Sequence, residues 1–410
     1  MRKRGSPLIN TSIPRYVAAA KNYTLGNKLY AQFRKTQKNR ILELVNAGWP
    51  TTLLDSRFSV IRIDLEHPNL PLSLNFWRIF LYHRLNVDNQ TAFVVALVIY
   101  LRVNVVVTYT DNYPFLGMVN SIVPNCRVVA VQNGFRTRDQ YVNYLTSVSK
   151  TKRMNRQKIH DIYLCWGQRD ISLLEELGIH TNLSIPIGSV RDSDFRSRNV
   201  EYSEDYELLI SYYRPGLMRS IGATAVDRSR KECSERLNRF LEIYCMENNL
   251  IPVFLLSPGD DDFKQKQITE ISQIYQGTWI PSSVEDNLSS YSMIARSKVV
   301  VGIRSSLLVE ALGHSKRVLA CNLTENDDLD LFDQGICQIS NCDYAEFSRH
   351  LTNLRNMSDD EWINSTFKMA SEYISINRKR ISMSMSNFLH YIVENEVESA
   401  INSLTQNDSD

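Results

Sequence analysis

An excess of charge of either sign is missing from this chain. Its 47 lysines and arginines stand against 45 aspartates and glutamates, a formal net charge of +2. That balance leaves no electrostatic footprint for general nucleic-acid binding. No apolar run of bilayer length is present either: the longest, Ala92 to Leu101, is stopped by Arg102 and Asn104. It is too short to cross a membrane, so a soluble protein is expected, with any membrane contact peripheral. Met1-Arg-Lys-Arg-Gly-Ser is basic but no apolar stretch follows it, so no signal peptide is expected. The seven cysteines (Cys126, Cys165, Cys233, Cys245, Cys321, Cys337, Cys342) form no Cys-x-x-Cys pair. Several sit in strand-like apolar runs, as reduced core thiols of a cytoplasmic protein do. The seven histidines show neither His-x-His nor His-Glu-x-x-His spacing, so nothing supports a zinc site. A P-loop and a Gly-x-Gly-x-x-Gly turn are both absent, which weakens ATPase and dehydrogenase readings. The lack of Gly-x-Ser-x-Gly argues against a hydrolase of that type.

What is present is alternation. At 410 residues, 43% hydrophobic and 22% charged, the chain is long enough for two domains, each with its own core. Strand-like runs at Phe58–Leu65, Val103–Thr108, Arg127–Gln132, Ile162–Trp166 and Leu183–Ile187 are separated by helical patterns. Leu74–Tyr82 is an aromatic-rich helix and Thr91–Leu101 a nearly all-apolar one. Tyr23–Ala47 is periodic and charged, which predicts an exposed amphipathic helix. Arg191–Asp205 is polar and charged and reads as the crossover to a second domain. The alternation then restarts at Glu207–Ser211 and runs through Ile251–Leu256, Gly277–Ile280, Val299–Ile303 and Arg317–Cys321. Continuous apolar strands alternating with helices predict parallel sheets covered on both faces. The expected fold class is therefore α/β, two Rossmann-like domains facing a central cleft. Residues 1–195 form the first domain, 206–340 the second, 341–405 closing helices and 406–410 a disordered acidic tail. In such folds the carboxyl ends of the strands point into the ligand cleft. The one basic cluster, Lys150–Lys158, is either a solvated linker or a surface that steers an anionic acceptor.

Chemistry-bearing residues gather at the predicted strand ends. Ser305 and Ser306 follow the strand ending at Ile303, where the next helix must start. Serines there supply hydroxyls and backbone N–H groups for a phosphate, and the helix dipole favours the anion. Glu310, one turn on, is placed to reach a ribose hydroxyl. The same residues would equally make an ordinary N-cap in any α/β sheet. Arg304, and Arg214 after the strand ending at Ser211, are candidates to neutralise a diphosphate, and Ser211 itself is a donor-binding candidate. Ser257, Ser282 and Ser283 stand at two further strand ends. In the first half, Asp111 and Asn112 follow Thr108. Asp111 is the candidate base or nucleophile; an Asx-turn accounts for it as well. Gln132, Asn133, Gly134 and Arg136 follow the next strand. Gly134 permits close backbone approach, and Arg136 can hold an anion bidentately. Asp260–Asp262 read as a helix N-terminal acidic cap, and the acidic run from Glu325 to Asp330 as a solvated loop.

Taken together, these motifs resemble a known family. Val299-Val-Val-Gly-Ile-Arg-Ser-Ser-Leu-Leu-Val-Glu-Ala-Leu-Gly-His-Ser-Lys-Arg-Val resembles the donor-site segment of GT-B glycosyltransferases. It is most similar to bacterial surface-carbohydrate biosynthesis proteins and to capsule-type Kdo and sialic acid transferases. Thr108-Tyr-Thr-Asp-Asn and Gln132-Asn-Gly-Phe-Arg are similar to acceptor-domain signatures of the same group. The resemblance implies that Ser305 and Ser306 contact the donor phosphate and Glu310 the donor ribose. It departs at Ser257-Pro258, where CMP-sugar transferases often carry His-Pro, and at Gly313-His-Ser-Lys316, where the family has a small-Gly-Lys turn.

The expected activity is metal-independent transfer of a sugar from a nucleotide-sugar donor to a bacterial surface polysaccharide or glycolipid acceptor. The nucleotide-sugar is a substrate and no cofactor is expected. The expected location is cytoplasmic, at most peripheral to the inner face of the membrane. The same residues leave three alternatives open: a nucleotide-sugar 2-epimerase, a CDP-polyol phosphotransferase, and a non-catalytic scaffold of polysaccharide assembly.

Overall fold

The computed structural model describes residues 39–45, 57–64, 73–109, 111, 116–142, 158–198, 202–211, 225–256, 261–282, 289–333, 335–376 and 381–405. Two compact units result: Met1–Val190 joined by Asn377–Asp410, and Arg191–Ile376. The described helices of the first half are α1 (Leu74–Arg84), α2 (Asn89–Leu101), α3 (Leu116–Ile122) and α4 (Gln168–Glu176). Those of the second are α5 (Val190–Arg196), α6 (Ala225–Glu247), α7 (Asp261–Ile274), α8 (Ser289–Ala295), α9 (Ser306–Gly313), α10 (Tyr344–Asn356) and α11 (Asp359–Tyr373). Two more, α12 (Ile381–Val393) and α13 (Val397–Thr405), end the chain.

The first unit is built on a six-stranded sheet of β1 (Asn39–Val45), β2 (Phe58–Asp64), β3 (Val105–Thr108), β4 (Arg127–Val131), β5 (Lys158–Cys165) and β6 (His180–Pro186). Their spatial order is β2-β1-β3-β4-β5-β6, and every pair is parallel. Successive residues of a strand point to opposite faces. Leu42, Val106, Val128 and Tyr163 therefore enter one core and Ile41, Val105, Val129 and Ile162 the other. Cover on both sides explains why these strands read as unbroken apolar runs. The first face is closed by α2, which Asp88 caps by accepting from the Thr91 N–H at 3.0 Å. Arg102, in the left-handed region at φ 54°, ends it. The second face is closed by α12 and α13 through Met385, Phe388, Leu389, Ala400 and Leu404. Each large side chain buried there contributes about 1.5–3 kcal/mol.

Two expectations change here. Asn39–Val45 is a strand, not the end of an amphipathic helix running from Tyr23; residues 23–38 lie outside the described residues. The charged residue that suggested an exposed helix face, Glu43, is buried opposite its register partner Arg62 of β2, at 2.5 Å. The closing helices also do not form one set: α10 and α11 belong to the second unit, while α12 and α13 fall with the first. The acidic tail from Gln406 and the basic cluster from Lys150 to Gln157 lie outside the described residues.

The second unit repeats the plan with β7 (Tyr206–Ser211), β8 (Val253–Leu255), β9 (Ile280–Pro281), β10 (Ser297–Gly302), β11 (Arg317–Asn322) and β12 (Gln338–Ser340). Their order is β12-β11-β10-β7-β8-β9, all parallel. The chain starts in the middle, lays strands to one side, then crosses to the other. This is the doubly wound Rossmann pattern, and its switch point falls between β7 and β10. In the first unit the equivalent reversal falls between β1 and β3.

Arg191–Asp205, read as the crossover to a second domain, does open the second unit. Its first part forms α5, with Asp192, Ser193 and Asp194 buried. Asp192 tolerates burial because two cationic or hydrogen-bonding groups meet it: Arg196 one turn along and the His314 ring. Asp261 and Asp262 occupy the first turn of α7, the acidic cap expected. Asp330, expected in a solvated loop, accepts from Asn322 (2.8 Å), Gln338 (3.0 Å) and Ser340 (2.7 Å) and pins the loop after β11.

Candidate functional site

At the switch point of the second unit, β7 ends at Ser211 and β10 ends at Gly302, directly opposite each other in register. A Cβ on Gly302 would stand 3.0 Å from the Ser211 Cβ and 3.1 Å from its carbonyl oxygen. Only glycine lets the two strand ends close to this distance. Ile303 and Arg304 then lead to Ser305, which takes an extended conformation (φ −113°, ψ 132°) and caps α9.

The Ser305 hydroxyl has a specific valence pattern. Its oxygen accepts from the Ser211 hydroxyl at 2.9 Å and from the Leu307 N–H at 3.3 Å. A hydroxyl oxygen has two lone pairs and one hydrogen. Both lone pairs are thus used within the protein, and the hydrogen remains as a donor with no acceptor among the described residues. Ser306 opens the helix and is half-buried. The positive end of the α9 dipole adds to an anion-favouring potential at this point.

The other donor-side candidates fall in different places. Glu310 is 6% exposed and accepts from the Tyr291 hydroxyl at 2.7 Å, so its carboxylate is held against α8. Ser282 is buried and accepts from the Leu256 N–H at 3.0 Å, which ties the ends of β8 and β9 together. Arg304 donates to the Asp328 carbonyl oxygen. Arg214, Ser257 and Ser283 lie outside the described residues, as does Asn112 in the first unit.

In the first unit, Asp111 and Arg136 come together from the ends of β3 and β4. The guanidinium donates to Asp111 Oδ2 through Nε at 2.9 Å and to Oδ1 through Nη2 at 2.5 Å. Asp111 is 3% exposed. This is the geometry of a positioned ion pair; an unengaged general base would have an oxygen to spare. Arg136 also donates to the Asn133 side chain at 2.9 Å, so the exposed Asn133 is oriented by the same group. Burial alone would push the Arg136 guanidinium down, but the Asp111 carboxylate outweighs it and the net displacement is upward. Gln132 is buried; its amide accepts from the Trp166 N–H at 2.8 Å and donates to the Gly134 carbonyl at 3.1 Å. It shapes the loop from within.

Behind the ion pair runs a buried chain of hydroxyls that the sequence did not reveal. The Tyr163 hydroxyl donates to Asp111 Oδ2 at 3.3 Å, Tyr163 and Tyr141 are 2.9 Å apart, and Tyr141 donates to Asp170 Oδ1 at 3.1 Å. Gly167 N–H and Gln132 also donate to Asp170. Four groups in series have three gaps, and two phenols supply only two hydrogens. All three gaps are filled only when a carboxyl carries the third. Asp111 shares both its oxygens with Arg136, so the third hydrogen belongs on Asp170: once protonated, that carboxyl donates to Tyr141, and Tyr141 turns its own hydrogen to Tyr163, which donates to Asp111. Burial pushes Asp170 up to about 6, partly opposed by the Arg169 charge and the Tyr141 hydrogen bond. Both phenols are driven well above their usual range, chiefly by burial.

A family model described as "putative O-antigen biosynthesis protein" matches residues 129–392. No curated protein sequence matches the chain. Among solved structures, the UDP-GlcNAc 2-epimerase of Methanocaldococcus jannaschii is similar at 11% identity and a TM-score of 0.50, covering 87% of this chain and 100% of that one. A protein of Listeria monocytogenes described as a "putative UDP-N-acetylglucosamine 2-epimerase" is similar at 10% identity and a TM-score of 0.52, covering 88% and 98%. At these identities the likeness is one of fold: two Rossmann-like α/β domains.

Proposed function

The chain belongs to this O-antigen biosynthesis family, and we propose that within it the protein is a glycosyltransferase that moves a sugar from a nucleotide-sugar donor to a surface-polysaccharide or glycolipid acceptor. The donor phosphate sits at the start of α9, where the Ser305 hydroxyl hydrogen, the Ser306 hydroxyl and the N–H groups of the first turn converge. The single observation that carries this reading is the Ser211–Ser305 contact at the β7–β10 switch point. It spends the oxygen of Ser305 inward and leaves a fixed hydrogen for an anion.

The chemistry follows from that placement. Breaking the bond from the sugar to its nucleotide leaves negative charge on the phosphate oxygen. A preorganised donor and a helix dipole stabilise that charge without reorganising during the reaction. Arg304 and Arg214 are the candidate cations nearby in sequence. In the first unit, Arg136 and Asn133 face the acceptor, and Asp111 serves them by holding the guanidinium in place. Asp111 acts there as a positioning residue, which replaces the base or nucleophile role expected from sequence.

The test is a thermal-shift screen with UDP, GDP, CMP, CDP and dTDP, followed by turnover with the matching nucleotide-sugar. A CMP-linked Kdo or sialic acid donor belongs in that panel. A nucleotide at about 100 times its Kd stabilises by about 2.7 kcal/mol, which a melting curve resolves. The increment is expected in the wild type and much reduced in Ser305→Ala. Isomerisation of a nucleotide-sugar incubated without acceptor would replace transfer by 2-epimerisation. No response to any nucleotide would overturn the enzymatic reading in favour of a scaffold.

A further inference from the structure

The surface of α1 is unlike the rest of the first unit. Phe76 and Phe80 anchor the helix in the core, where Phe76 meets Phe93 edge-on at 5.5–6 Å, as it also meets Trp77 and Tyr100. The opposite side carries Leu74, Leu81, Tyr82 and the C-cap residue Leu85, with exposures of 87%, 54%, 66% and 84%. With Arg78, these residues fall within an arc of roughly 100° at 100° per residue. One helix face therefore presents three leucines and a tyrosine to solvent, where a soluble surface normally places polar groups.

The charges on α1 itself have one sign. Arg78 and Arg84 are exposed and make no ion pair among the described residues. The helix contains no acidic residue, and His83 lies in its last turn. No described helix is long and apolar enough to cross a membrane, and α1, with a single apolar face, has the pattern of a helix that lies along an interface. Apolar side chains flanked by unpaired arginines fit the boundary of an anionic bilayer: the leucines enter the acyl region and the guanidinium groups reach lipid phosphates. A second copy of the chain fits less well. Two-fold pairing through the same patch would set Arg78 near its own counterpart with no acid to separate them.

We propose that the α1 face, centred on Leu81 and Leu85 and flanked by Arg78 and Arg84, docks the protein peripherally on an anionic lipid surface. This goes beyond the donor reading and does not depend on it, because none of these residues belongs to the β7–β10 site.

Flotation of the full chain with vesicles tests it. Wild-type protein is expected to float with phosphatidylglycerol-containing vesicles and to stay at the bottom with vesicles of phosphatidylcholine alone. Leu81→Glu with Leu85→Glu should weaken binding at least about tenfold, since each removes an inserting side chain. Arg78→Gln with Arg84→Gln should weaken it about 30-fold at low salt, less at high salt. Circular dichroism and melting should match the wild type, since the substituted side chains are exposed; if the glutamates lower the melting temperature, Leu81→Ser with Leu85→Ser takes their place. Calorimetric nucleotide binding should be unchanged, which separates failure of this proposal from failure of the donor reading. The proposal is overturned if wild-type protein ignores anionic vesicles, if the variants bind them equally, or if sedimentation shows a dimer that the leucine variants convert to monomer.

Discussion

Asp170→Asn isolates the buried proton of the first unit. The carboxyl lies at the far end of the Asp111–Tyr163–Tyr141 chain and is pushed from its ordinary 3.8 up to about 6 by burial. A tenfold change in proton affinity is worth about 1.36 kcal/mol, so ionising this group in the folded state costs about 3 kcal/mol. The sign follows from the direction. A folded value above the unfolded one means that Asp170 favours the native state most below about pH 4. That contribution is lost as pH rises toward about 6 and stays lost above it. Asparagine has no such titration. It presents an amide nitrogen or oxygen to the Gly167 N–H that Asp170 now accepts at 3.4 Å, a pH-independent cost of about 1 kcal/mol. The variant should therefore be about 1 kcal/mol less stable than wild type near pH 4 and about 2 kcal/mol more stable near pH 8. Native-state hydrogen exchange at the β4 and β5 amides reads the first unit alone. An equal difference at both pH values, or a variant weaker at both, would refute the assignment of the third hydrogen to Asp170.

Two further substitutions probe the second unit. Gly302→Ala puts a methyl 3.0 Å from the Ser211 Cβ and should cost about 1–3 kcal/mol while loosening nucleotide binding, checked by melting and calorimetry on one sample. Asp192→Ala strips the buried partner from Arg196 and His314 and should cost about 3–5 kcal/mol in denaturant unfolding; Asp192→Asn, which keeps an acceptor, should cost less.

The sheets were legible because their strands are covered on both faces and so carry continuous β-branched runs, as at Val105–Val107 and Val299–Val301. β1 was not legible. Asn39-Arg-Ile-Leu-Glu-Leu-Val scatters charge among apolar residues as a helix would, and only nonlocal partners, the ladders to β2 and β3 and the pairing of Glu43 with Arg62, make it a strand. α5 escaped for the same reason: its Asp192 looks solvated until Arg196 and His314 close over it. At the candidate site, Ser305 was readable from the strand–cap–helix grammar. Ser211, 94 residues away, was also a candidate at its strand end, but its contact with Ser305 became visible only through the register of β7 with β10. The Tyr141–Tyr163–Asp170 chain gave no local signal, since its members are ordinary residues that the β4–β5 register and the start of α4 bring into line. Asp111 stands just past its strand end, but its ion pair with Arg136, 25 residues on, left no local signal.

The most direct test of the donor site is a calorimetric titration of the preferred nucleotide into wild-type protein and into Ser305→Ala. A lost hydrogen bond to a charged phosphate is worth about 1.5–3 kcal/mol, so affinity should fall about 10- to 100-fold in the variant while its fold persists. An affinity unchanged by removal of that hydroxyl would contradict the placement of the donor phosphate at the start of α9.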